Sequence, residues 1–238
     1  MKKLFLFICL LAFCQLFSQK KYYFDYGLQY EETIIKSNKV KTNIYLVNSK
    51  QNNYFLSIEE KDSINNDLRL IDQNGVTVIA KINKKDFLKA ETITNNCDQT
   101  FRFSSLGKEK VKDYSFTNLK DTIINDTSYY HYMIKCNKSL KYQKKKKIAT
   151  AHFIIDKSSP NFVPFLYQSI MYEVGKINRN IPNGYPKLIY FINCDGTKDS
   201  ELKLMKSLKI EKYLTIPNEC DYTIEEIRNK PPFTFSSN

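Results

Sequence analysis

The sequence predicts an all-β fold: a single curved antiparallel sheet or half-barrel, with one or two short helices and a helix on its concave face. Three observations predict it. Short runs in which apolar and polar residues alternate recur along the chain, and period two is the mark of a half-buried strand. No strand–helix–strand rhythm appears, so a parallel sheet is not expected. All seven prolines lie at or beyond Pro160, and four of them frame one amphipathic stretch between two strand-like runs. Tyr and Phe, together 14% of the residues, supply enough bulk for a sizeable core.

The elements follow in order. Tyr22, Phe24, Tyr26, Leu28 and Tyr30 alternate with Tyr23, Asp25, Gly27, Gln29 and Glu31, which gives a strand with an aromatic face. Residues 42–47 and 54–58 are strand-like. Residues 68–72 and 76–82 flank Asn74-Gly75, a pair that tolerates the positive φ angles of a hairpin turn. Residues 87–93 predict a further strand, and the polar stretch 104–113 a loop. Residues 128–136 and 148–156 predict two strands joined by a basic turn at 141–147. Ser158, Ser159 and Pro160 resemble a helix start, a hydroxyl cap with proline in the first turn. Phe162, Phe165, Leu166, Ser169, Ile170 and Glu173 then follow three-four spacing, with Gly175 as the helix end. Pro164 falls within or just after the first turn, which allows a later start.

Residues 187–194 predict the strongest late strand, closed by Asp195-Gly196. Leu188, Tyr190 and Ile192 make one face and Ile189 and Phe191 the other; apolar on both faces, such a strand is expected to be buried. Residues 201–216 read as one long strand or two short ones. Thr223 to Glu226 form a capping box that starts a short helix, Pro231-Pro232 end it, and 231–238 is a polar tail. With no internal repeat and no Gly/Ser linker, residues 19–230 are expected to form one domain.

Residues 1–18 read as a secretory leader: Lys2 and Lys3 precede an apolar run from Leu4 to Phe17, too short to span a bilayer before Lys20 and Lys21. Lipidation at Cys14 would place the large Phe13 where a small residue is expected. The chain is therefore expected to be secreted or periplasmic, with outer-membrane association as one variant and no transmembrane segment after cleavage. Losing Lys2 and Lys3 takes the formal charge from +12 to +10. Of the basic residues only Arg69, Arg102, Arg179 and Arg228 are arginines, and bidentate phosphate and guanine recognition favours arginine, so no nucleic-acid partner is expected. Cys97, Cys136, Cys194 and Cys220 remain, an even number in an oxidising compartment. Local pairs, Cys97 with Cys136 and Cys194 with Cys220, need the least topology.

The hexapeptide Gly184-Tyr185-Pro186-Lys187-Leu188-Ile189 resembles the GLPGLI signature of a family of secreted bacterial proteins. Gly184, Pro186, Leu188 and Ile189 match; Tyr185 and Lys187 differ. Thr150 to Ile154 resembles the family's upstream segment, and Asp195-Gly196 and Ile216-Pro217 its downstream turn and strand end. The resemblance implies a β-rich envelope protein, similar to the curved half-barrel of lipoprotein carriers, and brings no biochemical activity with it.

Candidate chemistry is sparse. The histidines are His131 and His152, and a hairpin register could bring them together, on the face of Met133 and Thr150, as weak metal candidates. No third ligand is spaced to help, no nucleophile elbow or phosphate-cradling loop occurs, and no cofactor is expected. The expectation is a non-enzymatic, monomeric envelope protein that binds an apolar or protein ligand, with Phe162, Phe165, Leu166 and Ile170 as ligand-binding candidates. An accessory subunit of an outer-membrane complex and a metal-dependent hydrolase built on His131 and His152 are the alternatives.

Overall fold

The computed structural model describes residues 19–102 and 107–220. Its strands are β1 (Lys20–Ile34), β2 (Lys39–Asn48), β3 (Gln51–Glu60), β4 (Asn65–Asp72), β5 (Val76–Asn83), β6 (Thr92–Thr94), β7 (Thr100–Arg102), β8 (Tyr114–Asn118), β9 (Thr122–Ile124), β10 (Thr127–Cys136), β11 (Thr150–Ile155), β12 (Pro186–Ile192) and β13 (Lys198–Ile216). The α-helices among the described residues are α1 (Lys84–Lys89), α2 (Gly107–Lys110), α3 (Leu140–Lys146) and α4 (Ser169–Ile177). The expected leader, the helix begun by Thr223 and the tail 231–238 lie outside the described residues.

One open sheet runs β7-β5-β4-β3-β2-β1-β13-β12-β11-β10-β8, with β6 on β13 and β9 on β10. Every pairing is antiparallel except the short β6–β13 contact. The sheet bends. Burial raises the Tyr30 phenol of β1 most, and the Tyr132 phenol of β10 is near enough to raise it further, although four strand spacings separate the two strands. At about 4.8 Å per spacing a flat sheet would hold them roughly 19 Å apart. The face between them is therefore concave, and α4 fills it with Met171, Tyr172 and Val174.

A second cluster occupies the opposite face of the β1–β5 end. There Leu46, Leu56, Leu70 and Val78 lie under Phe87 of α1 and the Cys97–Cys220 disulfide. Adjacent residues such as Leu46 and Val47, or Leu56 and Phe55, divide between the two cores, as strand alternation requires.

The long β1 alternation does not line one surface. At a pairing irregularity between Phe24 and Tyr26 the strand changes face, so Tyr22 and Phe24 enter the second core while Leu28 and Tyr30 enter the first. A β-bulge has this effect, because one extra residue inverts the period-two pattern beyond it.

Several expectations need correction. Residues 87–93 are not a strand: Asn83 caps α1, its Oδ1 accepting the Lys85 N–H at 2.9 Å, and only β6 is extended. The basic turn at 141–147 is helical, begun by Ser139, whose hydroxyl accepts the Tyr142 N–H. Residues 107–113 form α2 and a 3-10 turn instead of a loop. The helix expected from Pro160 begins nine residues later, at Ser169. The Ser159 hydroxyl does not cap it but donates to the Asp156 carbonyl and accepts the Tyr185 N–H. Proline at 164 also biases Val163 to extended backbone. Gly175 lies inside α4 and does not end it; a Cβ there would strike the Leu166 side chain. The local cysteine pairs do not form. Cys97 bonds to Cys220, because parallel pairing of β6 with β13 carries one beside the other, and Cys136 and Cys194 are free thiols. β12 is covered on one face only, Ile189 and Phe191 being buried while Leu188, Tyr190 and Ile192 are half-exposed.

Candidate functional site

The candidate site is the concave face under residues 161–168, an irregular strap that leads into α4. Two prolines, Pro160 and Pro164, withhold N–H groups from this segment and keep it from closing into a helix. Its anchors are at the near end. The Val163 N–H donates to the Ser49 carbonyl at 2.9 Å, the Asn52 side-chain amide to the Pro164 carbonyl at 3.2 Å, and the Gly184 N–H to the Phe162 carbonyl at 2.7 Å. The tip of the β2–β3 hairpin and the entry to β12 thus clamp the strap's first residues. From Phe165 to Gln168 the strap is held chiefly by its side chains.

Those side chains are deeply inserted. Phe162, Phe165, Leu166 and Tyr167 are all buried. The Phe165 ring stands 5.2 Å from that of Tyr45 and 5.8 Å from that of Phe55. Tyr167 lies 5.8 Å from Tyr45, and Phe162 makes edge contacts with Tyr26 and Tyr185. Offset and edge arrangements of this kind add about 0.5–1.5 kcal/mol per pair beyond area burial. Leu166 lies against Gly175, whose missing side chain lets the strap approach α4. Of the four ligand-binding candidates, Phe162, Phe165 and Leu166 are in the core, and Ile170, at the start of α4, is partly buried against it. The strap thus fills this part of the concave face with its own side chains.

Neutral phenols line the face where the strap crosses it. Desolvation drives the phenols of Tyr30, Tyr45, Tyr132 and Tyr167 well above their ordinary value, so they stay neutral. The Tyr132 hydroxyl has no hydrogen-bond partner among the described residues. At the strap's entrance a cavity of about 280 Å³ opens between Ser49 and Lys50 on one side and Ser159, Asn161 and Phe162 on the other. A second cavity, also about 280 Å³, lies on the opposite face between Ile44, Ile58, Phe87 and Leu88.

The hexapeptide shapes one of these anchors. Gly184 has φ +125°, and a Cβ there would fall 2.6 Å from the Asp156 carbonyl oxygen. Tyr30 donates its hydroxyl to the Pro186 carbonyl at 2.8 Å. Ile189 is fully buried and Leu188 half-exposed.

His131 and His152 do meet, on the outer face, with Nε2 of the first 3.1 Å from Nδ1 of the second. Desolvation lowers the pKa of both, and the charge of His131 lowers that of His152 further. No group of three or more His, Cys, Asp or Glu side chains gathers among the described residues. What the sequence did not point to is the strap itself, the entrance cavity, and Tyr190 beside the histidines. The two prolines were the visible signal for the strap.

Among the described residues no helix is long and apolar enough to cross a membrane. No protein-family model and no curated protein matches the chain in sequence. Among solved structures, a Pseudomonas aeruginosa MucA/MucB complex matches with a TM-score of 0.41 and 7% identity, over 77% of this chain and 51% of that one. A putative outer membrane lipoprotein-sorting protein domain from Vibrio parahaemolyticus matches with a TM-score of 0.33 and 12% identity, over 78% and 85%. A LolA-superfamily protein from Nitrosomonas europaea matches with a TM-score of 0.28 and 12% identity, over 79% and 86%. This chain spans about half the length of the first of these, and at such scores none of the likenesses determines what it does.

Proposed function

We propose that this chain is an exported, non-enzymatic, monomeric envelope protein that binds one amphipathic, lipid-like molecule on the concave face of its sheet. The observation that carries the reading is the strap. A segment without regular main-chain pairing inserts Phe162, Phe165, Leu166 and Tyr167 into the middle of a bent sheet, where an apolar chain would lie. Lacking a main-chain ladder, the strap is opposed in opening mainly by the burial of these side chains, a cost that an apolar chain taking their place offsets. The strap then serves as a resident stand-in, and ligand entry exchanges one set of apolar contacts for another. The entrance cavity suits the polar end of such a molecule, with Lys50, Ser49 and Ser159 beside it. Export is supported by the apolar run from Leu4 to Phe17 and by the partial likeness of residues 184–189 to the GLPGLI signature.

Native mass spectrometry of protein purified from its own envelope tests this. A non-covalent lipid-like adduct is expected. Bare protein that also takes up no lipid from vesicles would overturn the reading.

A second reading, an accessory subunit that docks on an envelope partner, is favoured by one feature. Leu88 is 75% exposed beside the outer cavity formed with Ile44, Ile58 and Phe87. Co-purification of a stoichiometric protein without lipid would decide for it.

A further inference from the structure

On the outer face, away from the strap, side chains from three adjacent strands converge. Nε2 of His131 lies 3.1 Å from Nδ1 of His152 and 3.3 Å from the hydroxyl of Tyr190. Strand register explains the meeting. Met133 stands across from His152, which stands across from Tyr190, and His131 is two residues from Met133 on the same face. The His152 and Tyr190 rings are stacked, with centroids 4.7 Å apart.

The second nitrogen of His131 is also engaged. Its Nδ1 lies 3.2 Å from Thr122 Oγ1. An imidazole that donates through Nδ1 carries its lone pair on Nε2. Whichever ring nitrogen of His131 carries the proton, Nε2 has one lone pair or one N–H for which two neighbours, His152 Nδ1 and the Tyr190 hydroxyl, compete. A cation placed before it removes the conflict, since it accepts lone pairs from both imidazoles once His152 carries its proton on Nε2. Two imidazole nitrogens bound to one ion at about 2.0–2.1 Å stand roughly 2.8–3.4 Å apart, for square to tetrahedral angles. The observed separation falls in that interval.

We propose that His131 and His152 bind a single copper ion, with Tyr190 closing one side and Thr122 orienting His131 through its other nitrogen. Copper is the choice for two reasons. Cu(II) heads the affinity order for imidazole donors, above Zn(II), and Met133 sets a thioether, a donor soft enough for Cu(I), on the same face. With two imidazoles as the protein nitrogens, water completes the coordination, so the site is open. The Lys198 ammonium lies 5.6 Å from the Tyr190 ring and is paired with Glu201, the residue directly across from Tyr190. A metal-binding histidine ordinarily donates its other ring N–H to an oxygen acceptor, and Thr122 Oγ1 is placed to be that acceptor.

The test is titration of the intact protein with Cu(II) in a non-coordinating buffer, read by electron paramagnetic resonance and by competition with a chromophoric chelator. One equivalent with hyperfine structure from two nitrogens is expected. His131→Ala and His152→Ala should each lower affinity by more than tenfold, and Thr122→Val by roughly tenfold, the ordinary size of an outer-shell loss. Equal binding by the unaltered protein and the double histidine variant would show adventitious copper and overturn the proposal. Should the histidine variants fail to fold by circular dichroism, Thr122→Val decides: unchanged affinity contradicts the site.

Discussion

The ring of Phe165 stands 5.2 Å from the ring of Tyr45, one on the irregular strap and the other on β2. Both are buried, at 5% and 2% exposure. The contact joins a segment without regular secondary structure to a strand of the sheet. It makes the strap part of the core even though its backbone contributes little to the sheet.

Phe165→Ala is expected to destabilise the fold by about 3–5 kcal/mol, the range for removing a buried phenylalanine ring. Urea unfolding followed by circular dichroism measures it. A loss under about 1 kcal/mol would mean that the strap rests on the sheet without belonging to it.

Gly184→Ala combines two penalties. The backbone there has φ +125°, and the new methyl would meet the Asp156 carbonyl oxygen and the Ile155 side chain, each at 2.6 Å. Strain of this kind and overpacking each cost about 1–3 kcal/mol, so a total of roughly 2–6 kcal/mol is expected. Gly196→Ala is the informative control, because its φ is +86° but nothing lies within 4 Å. It should show the conformational part alone.

Cys97→Ser with Cys220→Ser opens a loop closed over a separation of 123 residues. In the chain-entropy account a bridge of that span contributes up to roughly 5 kcal/mol, with measured values commonly lower. Reduction should lower Tm accordingly. Non-reducing peptide mapping should recover Cys97 linked to Cys220 and alkylate Cys136 and Cys194 in the unfolded chain; any other pairing would contradict the β6–β13 arrangement.

Stability should also depend on the histidine pair. Desolvation holds both imidazoles below the ordinary value near 6.5, so the unfolded chain binds their protons more tightly than the folded one. Their effect is therefore absent above that value and destabilising below it, growing until pH falls past the folded pKa values. The double variant His131→Gln, His152→Gln should show a shallower loss of Tm between pH 7 and pH 5. Parallel curves for the two proteins would contradict the desolvated environment.

The strands were legible because alternation is a local property, and nearly every period-two run became a strand. What escaped was set by residues far apart in sequence. The change of face between Phe24 and Tyr26 depends on how β13 pairs with β1, and nothing in the aromatic alternation announces it. Cys97 meets Cys220 only because β6 lies along the far half of β13. At 87–93 an apolar–polar alternation masked the Asn83 cap, a signal that was present in the sequence. The apolar spacing from Phe162 to Glu173 mimicked a helix, but Pro164 and the commitment of the Ser159 hydroxyl to Asp156 and Tyr185 left the first half irregular. His131 and His152 were placed near each other by the expected hairpin; Tyr190 and Thr122 needed the register of β12 and the path of β9.

Amide hydrogen exchange, with and without a saturating single-chain phospholipid, addresses the strap most directly. If the strap is a displaceable occupant of the concave face, amides of residues 165–168 should exchange markedly faster with lipid present while those of β2 and β3 stay protected. Uniform protection of the strap at lipid concentrations that saturate the protein, or no uptake of lipid at all, would contradict the account.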